Sequence, residues 1–259
     1  MTPLSPPAPG AVAALAPTGT LRAAVNLSNF LLVSGTAPNG DPEGVSPGMA
    51  RALAQRLGVD IELSTFDSPG ELADAATTGA WDIGNIGAEP ARAEHINFTA
   101  AYAEIEATYL VRGDSPFGSF DDVDQPGARI AVKARAAYCL WLERNLRHAA
   151  LVQVPSLDAS YAAFVDQGLD ALAGLRPRLT SDAEQLPGAR ILEGRFTAVQ
   201  QAMGTPRDRD PIGHEYLCTF VEHAKASGLV AELIAEHRID GLSVAEPVAA
   251  APSDSSSVD

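Results

Sequence analysis

The chain has 259 residues, of which 46% are apolar, enough for one large or two modest domains with a proper core. Its formal net charge of −15 argues against binding nucleic acid or an anionic membrane surface, because phosphates demand clustered lysine and arginine. No stretch reaches the ~18 consecutive apolar residues of a membrane span, so no membrane insertion is expected.

Residues 1–17 are crowded with Pro3, Pro6, Pro7 and Pro9, and no Lys or Arg precedes their apolar part. The apolar run Ala11–Ala16 is shorter than a secretion-signal core of about 7–15 residues. The segment reads as a disordered leader. With Met1 as the natural start the chain is expected in the cytoplasm; a different start would place it in the periplasm.

Short β-branched runs then alternate with helical patterns, the mark of βαβ units. Leu21–Leu27 predicts a strand, and Ser28–Gly44 a loop. Ser46–Leu57 predicts a helix, with Ser46 as its cap and Gly58 as its stop. Strands are predicted at Val59–Thr65, Trp81–Ile86 and Glu106–Arg112, and helices at Pro69–Thr78 and Pro90–His95. A second series follows an acidic turn at Asp121, Asp122 and Asp124. Its strands are Arg129–Lys133, Leu151–Val154, Leu169–Gly174 and Ala189–Leu192; its helices are Ala136–His148, Leu157–Gln167 and Arg178–Gln185. Phe196–Met203 leads back as a strand, and Pro211–Ala226 and Leu229–His237 are the last helices. Residues 241–259 have the composition of a disordered tail.

The expected fold is therefore α/β, with mostly parallel sheets in two lobes. Lobe 1 spans residues 18–109 and 201–240, and lobe 2 is inserted at 110–200. Glu106–Arg112 and Phe196–Met203 would form a two-strand hinge. Such a layout puts a ligand in the cleft, at the C-terminal ends of strands.

Four stretches carry a family resemblance: Gly19–Arg22, Gly44–Gly58, Gly79–Tyr102 (GAWDIGNIGAEPARAEHINFTAAY), and Arg129–Leu142 together with Gly168–Gly174. In this order they resemble the extracellular solute-binding proteins of amino-acid ABC transporters, family 3. The runs Glu89–Arg92, Ala136–Tyr138, Leu175–Arg178 and Gly194–Gln201 further resemble a subgroup that lacks a secretion signal. The resemblance implies the type II periplasmic-binding-protein fold, a small-molecule partner and, if the chain is exported, an ABC permease.

It also implies site residues. Arg92 stands where the family arginine grips a ligand carboxylate, and a guanidinium fork matches a carboxylate with two bonds. Backbone N–H groups from Asn85 through Gly87 to Ala88 would add to the anion site. Glu89 replaces the usual Thr or Ser; it either pairs with Arg92 or accepts from a ligand donor. Leu175 stands where amino-acid binders place an Asp for the α-ammonium, so a standard α-amino acid is not expected unless Glu89 supplies the charge. Arg92 and Arg176 together would suit a dicarboxylate or keto acid; alternatively Arg176 is a surface cap beside Pro177. Lys133, Arg135 and Ala136 occupy the turn that opens the inserted lobe's first helix, with Arg135 where the family has Gly. Asn29 and Phe30 follow the first strand, as a lid or as plain loop residues. Tyr102 and Tyr138 are weaker candidates.

Cys139 and Cys218 lie outside any metal-ligand spacing and read as reduced thiols. No phosphate-binding glycine loop and no nucleophile–base arrangement is evident, so neither cofactor nor metal is expected. A catalytic alternative stays open, because cyclohexadienyl dehydratases resemble this family. Glu89 would then be the general acid of a lyase, and Arg92 and Arg176 would hold substrate carboxylates.

Overall fold

The computed structural model describes residues 4–248. Its first elements are α1 (Pro9–Leu15), β1 (Thr20–Asn26), a small hairpin of β2 (Gly35–Thr36) and β3 (Pro42–Glu43), and α2 (Val45–Leu57). Next come β4 (Asp60–Phe66), α3 (Pro69–Asp74), β5 (Ile83–Gly87) and the long strand β6 (Ile96–Val111). The second series is α4 (Phe120–Val123), β7 (Arg129–Lys133), α5 (Ala137–Asn145), β8 (Ala150–Val154), α6 (Leu157–Asp166), β9 (Ala171–Leu175), α7 (Arg176–Gln185) and β10 (Arg190–Ile191). The chain closes with β11 (Thr197–Pro206), α8 (Pro211–Ser227), α9 (Leu229–Glu236) and β12 (Ser243–Val244).

The fold is mixed α/β and two-lobed. One lobe holds the parallel strands β4, β1 and β5; the other holds the parallel strands β9, β7 and β8. β6 and β11 run antiparallel between them and join all eight strands into one path, β4-β1-β5-β11-β6-β9-β7-β8. β11 also pairs with β5, and the far end of β6 pairs with β9. The crossing strand is longer than the predicted Glu106–Arg112, because residues from Ile96 onward keep pairing with β11.

Local chemistry explains the element ends. Ser68 and Ser156 accept from backbone N–H groups at the starts of α3 and α6, and Ser119 with Asp122 forms a reciprocal capping box on α4. Ser46 is not a cap. Gly44 holds that position at φ +141°, where a Cβ would strike the Leu32 carbonyl, and Ser46 lies in the first turn of α2. Three aspartates bind backbone or arginine rather than ligand. Asp82 is buried between Arg22 (2.7 Å) and Arg209 (2.8 Å). Asp124 accepts from the N–H groups of Arg147, His148 and Ala149, and Asp170 from that of Arg129.

Two terminal expectations need correction. Residues 9–15 are helical rather than a structureless leader: Pro9 suits a first turn, and Ala11 and Leu15 are buried. Leu15 meets α8 at Gly213, whose missing side chain allows the approach. Within 241–259, Ser243 and Val244 pair with Glu104 and Ala103 of β6, and Leu242 and Ala245 are buried. Residues 1–3 and 249–259 lie outside the described residues. No helix among the described residues is long and apolar enough to cross a membrane.

Because Leu15 is almost fully buried, Leu15→Ala is expected to destabilise the protein by about 2–4 kcal/mol in urea unfolding. A loss below about 0.5 kcal/mol, the range of a neutral surface change, would mean that α1 is not docked.

Candidate functional site

The cavity between the lobes is lined by the C-terminal ends of their strands, where ligands bind in open α/β sheets. Asn26 ends β1 and Ser28 follows it; Asn85 and Gly87 lie on β5; Lys133 ends β7; Leu175 ends β9; Val199 and Gln201 come from β11. The cavity measures about 60 Å³, room for a handful of water molecules. Gly87 permits the closeness of its walls: a Cβ there would lie 3.0 Å from Ala137 and 3.1 Å from Val199.

Two cations face this space. Arg92 and Lys133 are each only 6% exposed, and neither has a carboxylate within ion-pair distance among the described residues. Arg92 donates to the Gly87 carbonyl at 2.6 Å and to the Arg135 carbonyl at 2.8 Å. Lys133 Nζ donates to Ser28 Oγ at 2.8 Å. Burial pulls the Arg92 pKa down to about 10; the field of Glu89 opposes this and that of Arg135 adds to it. Burial lowers the Lys133 pKa as well, against the field of Glu71. Buried charges without counter-ions are costly, and an anion in the cavity would offset that cost. The start of α5 adds to the field: its cap, Ala136, has no side-chain acceptor, so no side chain occupies the first N–H groups.

Of the residues singled out in the sequence, Asn29, Phe30, Asn85, Gly87, Arg92, Lys133 and Ala136 come together around the cavity. Glu89, Arg135 and Arg176 do not. Glu89 is drawn away by Arg144 of α5, at 2.5 Å, rather than pairing with Arg92 or reaching a ligand. The Arg135 side chain turns to Asp74 of α3, at 2.6 Å. Its backbone, at φ +58°, explains why the family favours Gly there, and its carbonyl holds Arg92. Arg176 binds Glu106 and the Gly194 carbonyl on the hinge side, so it is not a second cation in the cavity. Sequence reasoning missed Ser28 and Gln201 and ranked Tyr138 low. Gln201 follows Gln200 in the same strand, and only its burial, which the sequence does not report, sets it apart.

Contacts that cross from lobe to lobe beside the cavity include Lys133 to Ser28, Arg92 to the Arg135 carbonyl, Arg135 to Asp74 and to the Gly70 carbonyl, and Arg144 to Glu89. The lobes stand closed on one another.

Two α/β lobes on a crossing strand pair, with a cavity at the strand ends between them, define the periplasmic-binding-protein class of fold. The chain belongs to the bacterial extracellular solute-binding proteins, family 3, whose model matches residues 28–237. Solved structures share the fold. The cysteine-binding protein from Campylobacter jejuni aligns with a TM-score of 0.71 at 15% identity, covering 92% of this chain and 100% of that one. The amino acid ABC transporter substrate-binding protein AbpA from Streptococcus pneumoniae, bound to L-arginine, gives 0.68 at 20% identity over 86% and 96%. The ancestral amino acid-binding protein AncCDT-1, a precursor of cyclohexadienyl dehydratase, gives 0.69 at 21% identity over 87% and 98%. At such identities the likeness is one of fold. No curated protein is similar enough to match.

The two interlobe ion pairs, Arg135–Asp74 and Arg144–Glu89, involve partly exposed arginines. Breaking the exposed Arg135–Asp74 pair with Asp74→Asn is expected to cost at most about 1 kcal/mol of stability, and adding Glu89→Gln, at a buried carboxylate, costs more. The radius of gyration in X-ray scattering should nevertheless rise as the cleft opens. An unchanged radius would show that closure does not depend on these pairs.

Proposed function

We propose that the protein closes over a small carboxylate-bearing anion, held chiefly by Arg92 and aided by Lys133 and the first N–H groups of α5. One observation carries the reading: two buried cations with no carboxylate partner among the described residues line one small cavity, and no described residue lining it is acidic. On this reading lobe 1 (residues 18–109 and 201–240) and lobe 2 (110–200) move about the β6–β11 pair. The ligand is not a standard α-amino acid, because Leu175 lines the cavity where an ammonium would need a carboxylate. If the chain is exported, an ABC permease is the further partner. The alternative, a lyase of the cyclohexadienyl dehydratase kind, needs an acid facing its substrate, and the pairing of Glu89 with Arg144 favours the binder.

A thermal-shift screen against amino acids, dicarboxylates, keto acids and shikimate-pathway acids tests this, since a ligand of the native state raises the melting temperature. Shifts are expected for the non-amino acids, with the compound recovered unchanged. A preference for ordinary amino acids would refute the reading of Leu175, and a consumed hit would make the protein an enzyme. Arg92→Ala should weaken binding of any acid hit by roughly 100-fold or more in calorimetry while circular dichroism stays native. Unchanged affinity would remove Arg92 from the site.

The pH dependence follows from the lowered Arg92 pKa. Its cationic form persists at neutral pH, so affinity for a carboxylate should be flat between about pH 7 and 9. Affinity should fall as the pH rises through about 10 and Arg92 loses its proton. Calorimetry across that range checks it; affinity that stays flat through pH 10 and above would refute it.

A further inference from the structure

Two residues of the cavity wall each carry a buried polar atom with no hydrogen-bond partner among the described residues. Asn85 is 1% exposed, and its Oδ1 accepts no hydrogen bond. Its amide nitrogen points to the Ala24 carbonyl, at 3.5 Å, which sets the direction of the amide. Tyr138 is 3% exposed, and its hydroxyl is likewise unpartnered. Both residues line the same cavity as Arg92 and Lys133.

The chemistry of these atoms restricts what can satisfy them. Asn85 Oδ1 can only accept, and an ionised carboxylate can also only accept, so neither one carboxylate nor two would meet its need. An ammonium could donate, but it would lie beside two buried cations with no acidic side chain among the described lining residues. A hydroxyl donates without adding charge, and it is the smallest group that does so, which suits a cavity of about 60 Å³. Its own oxygen can then accept from Lys133.

We propose that the ligand is a small hydroxy acid, with Asn85 as the residue that selects it by accepting from the ligand hydroxyl. This rests on the reading that the cavity holds a carboxylate at Arg92. A buried acceptor left unpaired by a ligand lacking the hydroxyl is what lets a site discriminate strongly against the deoxy analogue.

The test is calorimetry on the full chain with two matched sets, each chiral acid in both enantiomers: lactate, propionate and alanine, then malate, succinate and aspartate. Within each set only one substituent changes, from hydroxyl to hydrogen to ammonium. The hydroxy acid of at least one set should bind at least ~10-fold more tightly than its deoxy partner. In Asn85→Leu, which keeps the bulk and removes the acceptor, that gap should shrink to about threefold or less. Asn85→Asp keeps the size and shape and shifts preference toward the amino acid, so the inference stays testable if the leucine variant fails to fold. Equal affinity for hydroxy and deoxy acids, lost in Arg92→Ala, would overturn the hydroxyl inference and leave the carboxylate reading standing. Preference for alanine or aspartate in the unmutated protein would overturn it in favour of an ammonium. Binding of none of the six acids by folded protein would take down both readings.

Discussion

The antiparallel pairing of β6 with β11 is the constraint on which the rest of the structure depends. β11 supplies the partner of β5 in one lobe, and β6 supplies the partner of β9 in the other. Without this pair the sheet would fall into two three-stranded fragments with bare edges. The register between the two strands slips on either side of Ala202, and such irregularities bend and twist the strands that carry them. Gln201, at the edge of that irregularity, also forms part of the cavity wall, so the point where the strands deform is the point where the lobes meet.

The electrostatics run against the overall charge. A chain with a net charge of −15 repels anions at long range, so any attraction must be local and shielded. The fold achieves this by keeping acids out of the cavity wall. Asp82, Asp124 and Asp170 satisfy arginines and backbone N–H groups elsewhere, while Glu89 and Asp74 take arginines from the opposite lobe. Arg92 and Lys133 remain, buried and held by neutral oxygens. The same arrangement links binding to shape, because Lys133 and the Arg135 carbonyl come from the lobe opposite Ser28 and Arg92.

Much of this was legible in the sequence. The alternation of strands and helices gave the two lobes and both crossing strands, because period and turn residues report local structure. Arg92, Lys133, Asn85 and Gly87 fell in motifs tied to strand ends, and strand ends are where such a fold collects its site. The failures have a common cause in long-range reach. Nothing near Glu89 in the chain announces Arg144, and nothing near Arg135 announces Asp74, so three charged residues were assigned to a cavity they do not enter. The helix at residues 9–15 was hidden in the same way. Its prolines suggest disorder until Gly213, about 200 residues later, offers a surface on which Leu15 can pack.

That last contact bears on how the chain is made. α1 leaves the ribosome long before α8, and at about 5–20 residues per second the gap of about 200 residues takes on the order of ten to forty seconds. Through that interval the apolar face of α1 has no docking partner, whereas the strands β7, β8 and β9 of the inserted lobe are complete within a short run of chain. The order of synthesis therefore favours the inserted lobe folding first. The lobe that flanks it on both sides waits for its last helix to arrive, and α1, made well before that helix, is among the later segments to be placed.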